Sequence, residues 1–350
     1  MKNLNIGKFE IGPGKNTFII AEMSGNHDGD IKKAFAIIDA AKKSGADAVK
    51  LQTYTADTIT LNCNKPDFIV PPGPWDDFAN LHSLYKKAST PWEWHAELFE
   101  HARKIGLEVF SSPFDHTAVD FLQDLGATAY KIASPEITDI PLIEKVARTG
   151  NPVILSTGIA ALEDIELAVK TLRENNCDRF VILKCTTAYP TPMSEVNLRT
   201  MLDMQKRFDC LVGVSDHTLG LTVPMAAVAL GASMIEKHFT ISKEEGTVDS
   251  FFSLDENEFN QMVNGVRETE LCLGNVEYIP SPKAKVNFDG RRSLYISKNI
   301  KKGEIFTPEN VRSVRPALGL HPKYYSSILG KKAKVDLEIG DRMSLDVVDL

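Results

Sequence analysis

Eight short apolar, β-branched runs recur along the first 273 residues, and each ends in polar side chains. They are FIIAEM (18–23), AVKLQT (48–53), EVFSSPF (108–114), AYKIAS (129–134), PVILSTG (152–158), FVILKCTT (180–187), LVGVSDHT (211–218) and MIEKHF (234–239). Runs of this kind suit strands buried on both faces, hence a parallel sheet. A longer amphipathic segment follows each one. Parallel strands need such crossovers, because a tight turn cannot carry the chain back to the end it started from. Eight βα units in about 270 residues match the size of one (β/α)8 barrel.

Local signals mark the boundaries. Thr90-Pro91-Trp92-Glu93 predicts a helix start, with threonine as N-cap, proline at the first helical position and a capping glutamate; Asp255 and Glu258 predict another before the last helix. Gly45, Gly126 and Gly231, each followed by alanine, predict helix stops just before a strand. The connection over 54–89, which includes PDFIVPPGPWDDF, is too long for an ordinary βα loop. In a barrel it lies on the C-terminal face. Phe68, Trp75, Phe78 and Tyr85 give it the apolar area to fold down as a partial lid; packing outside the barrel is the alternative.

Charge divides the chain. Residues 283–350 carry 14 Lys+Arg against 8 Asp+Glu, a net +6, which leaves −13 on the remaining 282. The stretch GNVEYIPSPKAK therefore reads as a linker. The expected organisation is a barrel over 1–274, a linker over 275–290 and a small β-rich domain over 291–350, where short strands alternate with turns at Lys302-Gly303, Thr307-Pro308 and Ile339-Gly340-Asp341. The basic excess there is either a solvated face or a lid over an anionic ligand. The overall charge of −7 argues against nucleic acid as a partner. No run approaches the ~18 apolar residues of a membrane span. The start, MKNLNIGKFEIGPGK, lacks the apolar core of a signal peptide. Five scattered cysteines form neither a disulfide framework nor a CxxC metal site, so a cytoplasmic location is expected.

In a parallel barrel the C-terminal ends of the strands converge on one mouth. Those ends offer Glu22; Lys50 and Gln52; Ser111 and Ser112; Lys131, Ser134 and Glu136; Ser156 and Thr157; Thr186, Thr187 and Tyr189; Ser215, Asp216 and His217; and Glu236, Lys237 and His238. Charged groups are costly in a barrel interior, so eight polar ends point to a site, although ion pairs closing the barrel top would look similar. His217 and His238 end neighbouring strands ~4.8 Å apart and could share one divalent ion. With two protein ligands that site would stay open to water and substrate oxygens. Lys50 and Lys131, ringed by Ser112, Ser134, Ser156 and Ser215, suit a phosphate or carboxylate. His82, His95, His101, His116 and His321 read as structural or surface groups, while His27 is retained as a candidate site residue.

The motifs IIAEMSGNHDGD, ADAVKLQT, FSSPFD, AYKIASPE, ILSTG, CTTAYPTP, GVSDHT and EKHFT resemble, in order and spacing, those of the sialic acid synthase family. RRSLYISKNIKKGE and RPALGL resemble its small C-terminal antifreeze-like (SAF) domain. The resemblance implies an enzyme that condenses phosphoenolpyruvate with an amino-sugar aldehyde in a domain-swapped homodimer. It implies metal binding by His217 and His238, phosphoenolpyruvate binding by Lys50, Ser112, Lys131, Ser134, Ser156, Thr187 and Ser215, and catalytic carboxylates at Glu22 and Glu136. Gln52, Tyr189, Asp249 and Arg315 fall in the sugar region, with Arg315 acting across the subunit interface. The divalent ion expected is manganese, with magnesium or cobalt as alternatives and zinc not excluded.

Thr187, Ala133 and Pro135 depart from the pattern of N-acetylneuraminate synthases, and TPWEWH and VDSFFSL resemble the pseudaminic acid synthase branch. That branch uses a 2,4-diacetamido-2,4,6-trideoxy sugar. N-acetylneuraminate or legionaminate synthesis remains the alternative within the family. Outside it stand a metal-dependent aldolase, a Schiff-base aldolase using Lys131 or Lys184, and a non-catalytic sugar- or ice-binding protein.

Overall fold

In the computed structural model, which describes residues 3–349, the chain divides into two compact units between Gly274 and Asn275. The first unit opens with an antiparallel hairpin, β1 (Leu4–Ile6) and β2 (Phe9–Ile11). The eight apolar runs then form β3 (Phe18–Glu22), β4 (Ala48–Thr53), β5 (Glu108–Pro113), β6 (Tyr130–Ile132), β7 (Val153–Ser156), β8 (Phe180–Cys185), β9 (Leu211–Asp216) and β10 (Met234–His238). All neighbours pair in parallel, and β10 returns to β3 to close the barrel.

The strand pleat sorts each run into two sets. The outward set, with Ile19, Val49, Val109, Ile132, Leu155, Ile182, Val212 and Ile235, packs against the helices in one large core. The inward set begins apolar: Phe18, Ile20, Ala48, Phe110, Ala129, Ile154, Val181, Leu183, Leu211 and Met234 fill the barrel floor together with Leu4, Ile6 and Ile11 of the hairpin. Two residues further along, the same inward row turns polar. The register fixes this, since Glu22 pairs with Lys50, Ser215 with Glu236 and His238 with Glu22. Gly213 takes the inward position below Ser215, where a Cβ would come within 2.2 Å of the Met234 carbonyl oxygen.

Most of these strands stop short of their polar tails. β6 ends at Ile132 because Ser134–Thr138 forms a 3-10 turn, in which Pro135 has no N–H to extend a ladder. Helix stops fall at Gly45, Gly126 and Gly231, with φ of +89°, +68° and +93°. Asp255 and Glu258 form a reciprocal capping box on helix Glu256–Leu273. The start at Thr90 differs from expectation. Residues Trp92–Trp94 form a 3-10 turn ahead of helix His95–Lys104, and the Thr90 hydroxyl accepts instead from His27 Nε2 at 3.1 Å. A buried imidazole needs a partner, and it takes the hydroxyl that would have capped the helix. The long connection carries its own structure, helices Ala56–Ile59 and Leu81–Ala88 with a 3-10 turn at Pro66–Phe68.

The second unit begins with short helical turns at Pro282–Lys285 and Phe288–Gly290. It then pairs β11 (Ser293–Ile296) with β12 (Val311–Val314), and β13 (Lys332–Ala333) with β14 (Val348–Asp349), both antiparallel. Its core is small, built on Leu294, Ile296, Phe306, Val311, Ile328 and Met343.

Candidate active site

The inward polar residues of the barrel form one connected ring. Lys50 Nζ lies 2.5 Å from Glu22 Oε2 and donates to Ser112 Oγ at 3.2 Å. Lys131 Nζ reaches both oxygens of Glu236, at 2.7 and 2.8 Å, and Ser215 Oγ donates to Glu236 at 3.1 Å. Gln52 Nε2 bridges Glu22 Oε1 at 2.9 Å and Ser24 Oγ at 3.1 Å, and Ser24 is bonded in turn to Asp249. All four charged side chains are almost inaccessible to water. Burial opposes the charge on Glu236, but Lys131 and Lys50 outweigh it and hold the carboxyl down at about 2. Burial pushes the Glu22 carboxyl upward, against the pull of Lys50. Two lysines thus stand beside two carboxylates, and an incoming anion competes for the same ammonium groups.

Hydroxyls complete the ring. Ser134 Oγ accepts from Gly158 N at 2.9 Å. Any Cβ at Gly158 would strike Thr187 Oγ1 at 2.0 Å and Cys185 Sγ and Ser134 Oγ at 2.8 Å, so glycine keeps this corner of donors open. The Ser156 hydroxyl is buried and finds no hydrogen-bond partner among the described residues. A buried, unpaired hydroxyl is costly unless a ligand or water completes it.

His217 and His238 lie side by side, edge to face, with ring centroids 5.2 Å apart and planes inclined by 61°. His217 Nδ1 lies 3.1 Å from the Thr186 carbonyl oxygen and must carry the proton there, which leaves Nε2 with a free lone pair. His238 Nδ1 is buried without a partner. Burial, aided by the positive charges of Lys50 and Lys131, holds His238 well below its ordinary range, so it stays neutral. Two converging imidazoles, one fixed in tautomer by a carbonyl and one with an orphaned nitrogen, fit a divalent cation. Among the described residues no cluster of three or more His, Cys, Asp or Glu side chains suits a metal, so substrate oxygens and water would fill the remaining positions.

Above the ring lies a cavity of about 450 Å³. Tyr189 and Phe252 pack on the imidazoles, with centroids 4.6 Å from His217 and His238 respectively. The opposite wall comes from the long connection, through Val70, Pro71–Pro74, Trp75, Leu84 and Tyr85. Trp75 Nε1 donates to the Val248 carbonyl oxygen at 2.9 Å, so this segment folds over the barrel as a strap. Glu136, expected as a second catalytic carboxylate, does not line this cavity; its Oε2 is enclosed without a partner among the described residues, and burial raises its carboxyl to about 7.

The cavity thus brings together Glu22, Lys50, Gln52, Lys131, Ser134, Ser156, Thr187, Tyr189, Ser215, His217, His238 and Asp249. Ser112 backs Lys50, and Arg315 is exposed on the second unit. Several expectations fail. His27 is fully buried, donating to Thr90 and accepting from Gly29 N, and lines no cavity. Phe68 and Phe78 do not line the cavity either, because the backbone of the proline run takes that place. Lys184 turns away and donates to the Cys185 carbonyl at 2.5 Å, which removes it as a Schiff-base candidate. Ser111, Asp216 and Lys237 face outward; Ser111 joins Thr53, which bonds His95. The parity of the pleat separates Glu236 and His238, which point inward, from Lys237. Glu236, the partner of Lys131, joins the site as a residue that the family resemblance does not assign.

Comparison with known proteins agrees with this architecture. A model of the NeuB family matches residues 37–278, and one of the SAF domain matches residues 291–341. The chain is 47% identical to the pseudaminic acid synthase of Campylobacter jejuni, over 97% of this chain and 98% of that one. It is 47% identical to the pseudaminic acid synthase of Helicobacter pylori, over 95% and 97%. The crystal structure of N-acetylneuraminic acid synthetase from Leptospira borgpetersenii, in complex with citrate, superposes with a TM-score of 0.73 at 29% identity, covering 83% of this chain and 96% of that one. The chain belongs to the NeuB family, the sialic acid synthase family that its motifs resemble.

Proposed function

With that membership as premise, we propose that the chain is a pseudaminic acid synthase: it condenses phosphoenolpyruvate with a 2,4-diacetamido-2,4,6-trideoxy hexose and releases phosphate. The observation that carries the reading is the mouth itself, where two lysines and the unpartnered Ser156 hydroxyl adjoin a pair of neighbouring imidazoles. The near half identity to two pseudaminic acid synthases over almost the whole chain favours this sugar over N-acetylmannosamine or the legionaminate precursor. The apolar strap suits a 6-methyl group and a second acetamido group, where mannosamine would bring a hydroxyl.

In this reading Lys50 and Lys131 hold the phosphate and carboxylate of phosphoenolpyruvate, with Ser112, Ser134, Ser156, Thr187 and Ser215 as further donors. Gln52, Tyr189 and Asp249 orient the open-chain sugar. His217 and His238 would hold a divalent ion, manganese for preference, which when bound polarises the sugar aldehyde. Carbon 3 of phosphoenolpyruvate attacks that carbonyl carbon. Water adds at carbon 2, and phosphate leaves by C–O cleavage, regenerating a ketone. Glu22, held by Gln52 and Lys50, is placed to orient the water and to offset positive charge at carbon 2. Glu136, with its raised affinity for protons, does not line the cavity, so in this reading it passes a proton to the new alkoxide or leaving oxygen through an intervening water.

A domain-swapped homodimer is part of the proposal, with Arg315 completing the sugar site of the partner. Leu271, Val276, Tyr278 and Val286, around the boundary between the units, are each more than four-fifths exposed, and a second subunit would cover them. No helix among the described residues is long and apolar enough to cross a membrane. We place the enzyme in the cytoplasm, supplying a bacterial surface or flagellar glycan.

The test is incubation with phosphoenolpyruvate, manganese and a panel of amino sugars, reading phosphate and product mass together. The reading predicts equimolar phosphate and a nine-carbon acid from the trideoxy sugar, with slower turnover of N-acetylmannosamine, because an added hydroxyl is rejected only ~10²-fold by an apolar pocket. Pyruvate exchange without phosphate would mark an aldolase instead, and borohydride trapping at Lys131 would mark a Schiff base.

A further inference from the structure

One ion pair stands on the apolar side of the barrel wall. Lys237 and Asp216 point outward, into the layer that Ile235, Val212 and Val214 otherwise fill, and they are 1% and 4% exposed. Lys237 Nζ donates to Asp216 Oδ2 at 2.5 Å and to the Thr218 carbonyl oxygen at 2.5 Å. The second oxygen of Asp216 accepts from Thr218 N at 2.9 Å. One ammonium therefore grips both sequence neighbours of His217, from a position one residue ahead of His238.

Stability does not account for such a pair. Two buried charges lose hydration that their attraction only roughly returns, and apolar side chains of similar size do as well or better. Position does account for it. The β9–β10 ladder ends at the pairing of Asp216 with Lys237. His217 and His238 lie just beyond its last rung, where the backbone of one strand no longer sets the distance to the other. The contact from Lys237 to Thr218 extends the connection past His217. A non-directional apolar contact could not hold a carbonyl in place; an ammonium bonded to a carbonyl and a carboxylate can.

We propose that Lys237, with Asp216 as its counter-charge, is a positioning residue that sets the spacing of His217 and His238 for a divalent cation. Lys237 lines no part of the substrate cavity, so its influence passes through the histidines. The inference rests on the reading of those histidines as cation ligands.

The test replaces the pair by apolar groups of similar volume, Asp216→Leu with Lys237→Met, in the full-length chain. Binding of Mn²⁺ alone is read by the electron paramagnetic resonance of free aqueous manganese, without substrate, alongside melting temperature and steady-state kinetics. The double variant should melt within a few degrees of the parent and bind Mn²⁺ at least tenfold more weakly. Its kcat should recover as manganese is raised, while its KM for phosphoenolpyruvate stays near the parent value. A folded double variant with parental Mn²⁺ affinity overturns the proposal. Should that variant fail to fold, Asp216→Asn keeps the shape and one acceptor while removing the counter-charge. Threefold or greater weakening of Mn²⁺ binding then supports the proposal, and unchanged affinity overturns it. His217→Ala tests the premise separately. If it binds Mn²⁺ as well as the parent, the ligand assignment fails, and the positioning role falls with it.

Discussion

The floor and the mouth of the barrel are made by the same eight strands, in the same pleat, two residues apart, and they share almost no chemistry. At the floor, Phe18, Ile20, Phe110, Ile154 and Met234 meet the hairpin residues Leu4, Ile6 and Ile11 in an apolar plug. At the mouth, the same inward rows present Glu22, Lys50, Lys131, Glu236 and His238; the lysines and carboxylates pair with one another, while His238 Nδ1 and the Ser156 hydroxyl of the same ring lack a partner among the described residues. A side chain at the floor is satisfied by apolar neighbours; the mouth keeps polar atoms available to a ligand. The division of labour between stability and chemistry is thus set by depth along the strand.

Five substitutions or conditions would break or sharpen that contrast. The largest effect is expected at His238→Ala. If His238 holds a Lewis-acid ion as proposed, its loss removes several kcal/mol of transition-state stabilisation, about 10³-fold in kcat. Stability should change little, since the imidazole leaves behind no paired group. Phe110→Ala at the floor should do the reverse, costing about 3–5 kcal/mol of stability with near-normal kcat in the folded fraction. Urea unfolding and kinetics on the same samples would show whether the two layers separate.

Acid should act on the stability side. His27 and His95 are buried neutral, and burial lowers both to about 4 from an ordinary 6.5. The unfolded chain binds these protons first, so their contribution is complete above pH 6.5 and drains away between 6.5 and 4, by about 3 kcal/mol each. Melting temperature against pH, in the parent and in His95→Phe, measures that slope. Activity should respond in the other direction. If Glu136 gives up a proton, turnover falls as pH rises through about 7, and Glu136→Gln flattens that limb at a lower plateau. The smallest effect is expected at the strap. Trp75→Ala cuts the bond to Val248 and should narrow the preference for the trideoxy sugar over N-acetylmannosamine by about tenfold, within the range that one apolar contact supplies.

Much of this was legible in the sequence, for identifiable reasons. The eight runs carried their type and order because both faces are buried, and the period-2 rows at Lys50–Gln52 and Glu236–His238 already place those pairs on one face. The capping box at Asp255 is a local signal, and it appears as written. Thr90 did not obey its local signal because His27, 63 positions away in sequence, claims its hydroxyl. The length and aromatic content of the 54–89 connection suggest a partial lid, but the bond that anchors it, from Trp75 to Val248 across 173 positions, has no local signal. The outward direction of Asp216 and Lys237, by contrast, follows from parity alone, which turns alternate residues of a strand to opposite faces. Long-range partners decide the other two cases, and a single chain read along its length does not display them.

If one end of the barrel gathers a cation and phosphoenolpyruvate side by side, crystals soaked with manganese and phosphoenolpyruvate will show it when anomalous diffraction is recorded at the manganese edge. One strong anomalous peak is expected against both His217 and His238, with the phosphate of the ligand on Lys50 and Lys131. A peak at other side chains, or a ligand bound away from those lysines, refutes the proposed site.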